Sequence, residues 1–177
     1  AEILYKNLTT NSTTDLGTNT WAAPSNNQSA SGDTNFNLFV FYPRTGFIYG
    51  AKAGTSIWRF APSGAAFVEE TQALTYTQIG QGIVHSKDDI LYIPYFNSGG
   101  FIAKLDNTSW TTNALILPVH YVPTSICEYG NYLAIACAHA DGVSNSRIFL
   151  WDRNSSLSTL SETIDAGTGS VVIMEEI

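Results

Sequence analysis

Ser125-Ile-Cys-Glu-Tyr129, Asn131-Tyr-Leu-Ala-Ile135 and Ile148-Phe-Leu-Trp-Asp152 follow one another closely, and each is short, apolar and rich in β-branched or aromatic residues. The same order occurs upstream in Gly82-Ile-Val-His-Ser86, Asp89-Ile-Leu-Tyr-Ile93 and Ile102-Ala-Lys-Leu-Asp106. It occurs earlier still in Leu38-Phe-Val-Phe-Tyr42, Gly46-Phe-Ile-Tyr-Gly50 and Ile57-Trp-Arg-Phe60. Val171-Val-Ile-Met-Glu175 repeats the first segment once more. A fourth, more polar segment closes each set, at Phe67–Ala73, Trp110–Leu115 and Leu157–Glu162. Anchor positions shift by 42 to 46 residues: Val40 to Val84, Ile48 to Leu91 to Leu133, and Ile57 to Ile102 to Ile148. Three independent segments keeping one order and one period are not a chance alignment of apolar runs.

Segments two and three are apolar at consecutive positions, as in Leu133-Ala-Ile-Ala-Cys137. A strand with one wet face alternates, so these strands are expected to be dry on both faces. The polar fourth segments suit edge strands, where such residues discourage pairing with other chains. Turn chemistry punctuates the pattern: Pro43-Arg-Thr-Gly46, Ser86-Lys-Asp-Asp89 and Tyr129-Gly-Asn131 after the first segments, and Ala61-Pro-Ser-Gly64, Asp106-Asn-Thr-Ser109 and Asp152-Arg-Asn-Ser155 after the third. Pro94 removes a ladder donor from an inner strand, so a bulge or strand end is expected there. No window carries the apolar period and caps of a helix. A four-stranded unit repeating at this interval is that of a β-propeller blade. The expected fold is therefore all-β, a β-propeller of four-stranded antiparallel blades with three complete blades and part of a fourth. The blades are expected at 37–78, 79–119 and 120–166, with the partial one at 167–177. Residues 1–36 supply an N-terminal strand and a polar loop, Thr9 to Asn35 with a short strand near Trp21, able to complete a blade with the C-terminal strand. Closed propellers have about four to eight blades, so a larger parent or a partner chain is the favoured way to close the ring.

Hydrophobic residues make up 44% of the 177 residues and charged residues 13%, against about 25% charged in an average domain. Solubility thus rests on Ser, Thr, Asn and Gly. The net charge of −7 and eight unclustered basic residues argue against nucleic acid, which needs a basic stripe. No apolar run approaches the ~20 residues of a membrane span. The chain begins at Ala1 and its single methionine is Met174, so it is expected to be processed, cut or part of something longer. If a two-residue turn at Gly130-Asn131 joins adjacent strands, Cys127 faces Ala134 and Cys137 points to the opposite side, giving two free thiols rather than a disulfide.

The blade pattern resembles β-propeller proteins in general, and Trp151-Asp152 at the end of a third segment is similar to the Trp-Asp of WD40 repeats. The other copies read Arg59-Phe60 and Leu105-Asp106, and the Gly-His element is absent. The Asn/Thr-rich, Lys-poor texture of residues 37–177 also resembles propeller-containing virion and tail proteins of bacteriophages. That resemblance implies an extracellular or virion location, and protein partners or further copies or segments of the parent assembly.

Catalytic and cofactor motifs are missing. The three histidines, His85, His120 and His139, have no HxH or HxxxH spacing, and there is no CxxC, so no metal site is expected. Asp88-Asp89 and Glu69-Glu70 are neighbours that would point to opposite faces of a strand, whereas glycosidase chemistry needs two carboxyls about 5–9 Å apart across a cleft. Asp106-Asn-Thr-Ser-Trp110 resembles part of the sialidase Asp-box turn without its full pattern. No cofactor is implied. The expected ligand face is built from the loops Ala51–Thr55, Tyr95–Gly100, Ala138–Ser146, Thr77–Gly80 and Pro118–Thr124. These carry Tyr95, Asn97, His120, Tyr121, His139, Asp141 and Asn145, aromatic and amide groups suited to sugar or protein contacts. Candidate N-glycosylation sequons start at Asn7, Asn11, Asn27, Asn107 and Asn154. The expected function is a non-catalytic structural or recognition module. The alternatives are a carbohydrate-binding, lectin-like propeller and a propeller glycoside hydrolase.

Overall fold

A computed structural model of the chain describes residues 4–7, 12–15, 38–51, 57–60, 67–69, 74–152 and 162–168. Their regular structure is entirely antiparallel β-sheet, without helix. A hairpin of β1 (Leu4–Asn7) and β2 (Ser12–Asp15) stands first. The stretch read as loop therefore carries a strand at Ser12–Asp15, where two threonines favour extended backbone; Trp21 lies outside the described residues. Sheet 1 is a meander of β3 (Leu38–Tyr42), β4 (Phe47–Ala51), β5 (Trp58–Phe60) and β6 (Phe67–Glu69). In sheet 2, β7 (Gln78–Ile79) and β8 (Ile83–Val84) share one side of β9 (Leu91–Phe96), followed by β10 (Gly100–Asp106) and β11 (Ser109–Ile116). Sheet 3 is β12 (Tyr121–Tyr129), β13 (Tyr132–His139), β14 (Asn145–Trp151) and β15 (Glu162–Thr168).

Two-sided burial appears where the sequence places it. Every residue of β9 from Leu91 to Tyr95 is buried, and so is Leu133 to Cys137 in β13. Leu91, Ile93, Tyr95, Ala103 and Leu105 pack with Leu38, Tyr42, Tyr49 and Ile57 of sheet 1. The alternate residues Tyr92 and Ile102 pack with Leu133, Ile135, Phe149 and Trp151 of sheet 3. Sheet 2 is thus the middle layer of three, its strands feeding a core on each face by the period of two. The outer strand β11 is mostly exposed.

The first strands of the sheets lie beside one another. The Gln81 carboxamide behaves as a surrogate peptide group: its Oε1 accepts from Phe39 N at 3.3 Å and its Nε2 donates to Phe39 O at 3.2 Å. Its backbone N–H donates to Thr124 O at 3.1 Å, in a parallel bridge to Ser125. One residue therefore ties sheet 2 to both neighbours. At the opposite end, Tyr42 Oη donates to Leu105 O (3.1 Å) and accepts from Asn107 N (2.8 Å), while Arg44 pairs with Asp106 and donates to Asp88 O. Tyr42→Phe removes one buried hydroxyl that serves two backbone groups. It is expected to cost about 1–2 kcal/mol in urea denaturation, with no change in far-ultraviolet circular dichroism.

The irregularity expected at Pro94 falls on its partner strand. Pro94 itself continues β9, opposite Ile102. Across from it the register slips by one residue between Ile79↔Tyr95 and Ile83↔Tyr92, and Gly80 N donates to Pro94 O. The Gly130-Asn131 turn forms as read, with Gly130 at φ +59°, and it sets Cys127 opposite Ala134. Both thiols are free, and burial pushes the Cys137 thiol up. The described edge strand of sheet 3 is Glu162–Thr168; of the expected Leu157–Glu162 segment only Glu162 lies among the described residues, as does only Asp152 of the Asp152–Ser155 turn. Its register sets Ile164 opposite Ile148 and Asp165 opposite Arg147, a β-branched pair and an ion pair. Residues 167–168, expected to begin a partial fourth unit, end this strand, and Val171–Ile177 lie outside the described residues.

Candidate functional site

The loop end of sheet 3 gathers most of the candidate residues, and register explains how. Tyr121 pairs with His139 across β12 and β13. Cys137 pairs with Arg147 across β13 and β14, and His139 and Asn145, where β14 begins, each stand two residues from that last pair on its own face. Arg147 pairs with Asp165 and Asn145 with Thr168. Tyr121, His139, Asn145, Arg147 and Asp165 therefore share the face turned toward sheet 2. Sheet 2 approaches at Gly100, whose α-carbon lies so close to Tyr121 O that a β-carbon there would sit 2.3 Å from it.

The rings form a ladder from the core to the rim. Phe149 meets Tyr121 edge-on at 5.1 Å between centroids, Tyr121 meets His139 edge-on at 5.1 Å, and His139 lies 5.8 Å from His120. His120 holds φ +72°, and its carbonyl accepts from Ala140 N at 2.7 Å. Positive φ in a residue other than glycine is uncommon and concentrates at ligand clamps and switch regions.

Asp141 organises the five-residue loop that follows. Its carboxylate accepts from Val143 N (2.9 Å), Ser144 N (2.8 Å) and Ser144 Oγ (2.6 Å). His139 Nδ1 lies 2.8 Å from Asp141 Oδ1, whereas the Asp141 backbone N–H is 3.4 Å from the same nitrogen. The closer carboxylate requires the proton on Nδ1, which leaves Nε2 as the open acceptor of the neutral ring. Arg147 Nε approaches Tyr121 Oη at 3.4 Å and its NH1 lies 3.0 Å from Asp165 Oδ2. Asp165 also accepts from Asn145 Nδ2 and from Gly167 N, both at 2.9 Å.

Hydrogen bonds from the Ser144 side chain, then from the Ser144 and Val143 backbone, hold the Asp141 carboxyl well below the usual carboxylate range. Gly167 N, Asn145 and Arg147 lower Asp165 in the same sense. A carboxyl depressed in the folded state stabilises the fold above its unfolded value, about 3.9, and that contribution is lost as pH falls through the folded value. The 140–144 loop is therefore expected to keep its conformation down through pH 4. Carbon-detected NMR should record an Asp141 carboxyl transition displaced to the acid side of the ordinary aspartate range.

The remaining candidates sit differently. Tyr95 is on strand β9 rather than in a loop and is buried, stacked on Phe101 at 5.3 Å. Its hydroxyl is spent on Thr112 O and Asn113 Oδ1, and burial pushes the phenol up. Tyr121 likewise opens a strand. Asn97 lies in the 97–99 turn of sheet 2, with its N–H on Gly99 O. Asn107 stands at an exposed two-residue turn at φ +56°, and Asn7 ends β1; Asn11, Asn27 and Asn154 lie outside the described residues, as do residues 52–55 of the Ala51–Thr55 loop. Arg147 and Asp165 were missed by sequence reading because each lies inside a strand.

A second polar group joins sheets 2 and 3 at the other end. His85, buried, lies 3.1 Å from Asp88 Oδ1 and 3.7 Å from Glu128 Oε2, and Glu128 accepts from Ser86 N and Ser86 Oγ. Among the described residues, no group of three or more His, Cys, Asp or Glu is placed to hold a metal ion, and no helix is long and apolar enough to cross a membrane.

No family model matches the chain, and no curated protein matches it. Solved structures do. The computationally designed Ika4 protein superposes with a TM-score of 0.56 at 13% identity, over 87% of this chain and 85% of that one. The computationally designed Ika8 protein superposes with a TM-score of 0.56 at 14% identity, over 81% of this chain and 41% of that one. This is an all-β protein. The likeness concerns the fold alone, and this chain spans less than half the length of the Ika8 chain.

Proposed function

We propose that the three sheets are blades of a β-propeller, and that the chain is a non-catalytic structural or recognition module of a larger extracellular or virion assembly. The observation that carries the reading is Gln81. It joins the first strands of consecutive sheets, at Phe39 on one side and Thr124–Ser125 on the other. Sheets that fan about an axis bring their first strands together and let their last strands diverge, and β6, β11 and β15 are the edge strands. The non-catalytic half of the reading rests on the carboxylates. Asp106 is paired with Arg44, Glu128 with Ser86, Asp88 with His85, Asp141 with its own loop and Asp165 with Arg147 and Asn145. Groups held this way hold loops and sheets rather than substrates. The loop end of sheet 3 is the face we assign to partner contact.

Analytical ultracentrifugation with negative-stain electron microscopy tests the reading. Ring-shaped particles, from one chain or from several copies, support it. A persistent open stack with no partner in its parent assembly, or turnover of a glycoside substrate, overturns it.

A further inference from the structure

We infer that the loop end of sheet 3 binds an uncharged sugar ring. This rests on the reading of that end as the recognition face, and it names the ligand class.

Charge is the first ground. The Asp141 carboxylate is hydrogen-bonded by His139 and by the donors of its own loop, and Asp165 is ion-paired with Arg147 and hydrogen-bonded by Asn145 and Gly167 N. An anionic ligand meets no unpaired cation among these residues, because Arg147 is already answered by Asp165. What remains open is neutral or evenly mixed: His139 Nε2 and Asn145 Oδ1 as acceptors, and the second terminal nitrogen of Arg147 as donor. A sugar hydroxyl donates and accepts at once, so a face offering both senses over a few ångströms suits adjacent hydroxyls.

Shape and stiffness are the second ground. The C–H face of a pyranose needs an apolar platform beside those polar groups. The ring ladder of Tyr121, His139 and His120 supplies it, with Val119 and Val143, each 74% exposed, at the rim. The ladder is braced from the core by Phe149, and the His139 ring is locked by Asp141, so little side-chain freedom is lost on binding. The backbone strain at His120 sits on this rim. An extended peptide would add along a free sheet edge, whereas the row here runs across β12, β13 and β14 and meets the edge strand β15 only at Asp165.

The test uses the full chain on an array of neutral and acidic glycans, followed by saturation-transfer NMR with glucose, galactose, mannose and N-acetylglucosamine. The expected result is binding of a neutral sugar with a Kd in the roughly millimolar range for one ring, unchanged by added salt. His139→Ala and Asn145→Ala are each expected to weaken it about tenfold, with circular dichroism unchanged. Retention of only sialylated or sulfated glycans, lost on raising salt, overturns the inference. So does neutral-sugar binding that both variants leave intact, or no sugar binding at all. If the chain instead holds a surface receptor that protease removes and periodate does not, and His139→Ala abolishes this, the recognition reading stands and the sugar fails. If neither variant alters any binding by the chain, the recognition face itself is misassigned.

Discussion

Gly100→Ala is expected to lower stability by about 3 kcal/mol, at the upper end of the usual cost of overpacking. A β-carbon there would lie 2.3 Å from Tyr121 O and 3.1 Å from both Leu117 Cδ1 and Pro123 Cδ. The first of these is a backbone atom of the next sheet and cannot swing aside, so sheet 2 must separate from sheet 3. Gly80→Ala acts on the same seam, with Thr124 O 2.2 Å from the new carbon and Thr124 C at 2.6 Å. Gly142→Ala separates steric from conformational cost. Gly142 holds φ +71° with nothing within 4 Å of the added carbon, so only the left-handed backbone is penalised, by about 1 kcal/mol. Urea denaturation of the three variants checks the ranking. Equal costs at positions 100 and 142 would mean that the two sheets are not in contact there.

Leu133→Ala carries the other large effect, about 3 kcal/mol within the usual range for deleting a buried leucine. Leu133 is fully buried, opposite Trp151 and in one cluster with Ile135, Tyr92 and Ile102. Ala134 and Ala136 on the same strand point to the reverse face and are buried as well, so the strand is gripped on both sides and relaxes little into the void. Ile164→Ala, at an edge position that is 42% exposed, is expected to cost only about 0.5 kcal/mol. Thermal or chemical denaturation distinguishes them.

The repeat was legible because burial on both faces leaves a mark that needs no partner: consecutive apolar residues in runs too short for a helix. That mark located β9, β10, β13 and β14, with ends displaced by up to four residues. It failed where stability comes from pairing rather than burial. It gave no sign of strand at Thr163–Thr168, where the Arg147–Asp165 and Ile148–Ile164 pairs set the register. The site was half legible for a related reason. His120, His139, Asp141 and Asn145 flank loops, where polar residues stand out. Arg147 and Asp165 lie within strands and become neighbours only through the ladder. Tyr95 was drawn into the site by its closeness to a turn, but the period of two sends it into the core against Phe101. Gln81 gave no signal, because a carboxamide standing in for a peptide group has no sequence pattern.

Sheets arranged as blades splay outward from neighbouring first strands, and distances between spin labels measure that splay. One pair, at Lys87 and Tyr129, marks the first-strand side of sheets 2 and 3; the other, at Thr112 and Thr163, marks their edge strands β11 and β15. Pulsed electron paramagnetic resonance is expected to return a clearly longer distance for the edge pair. Equal distances would describe sheets stacked face to face in parallel layers, and would contradict the propeller.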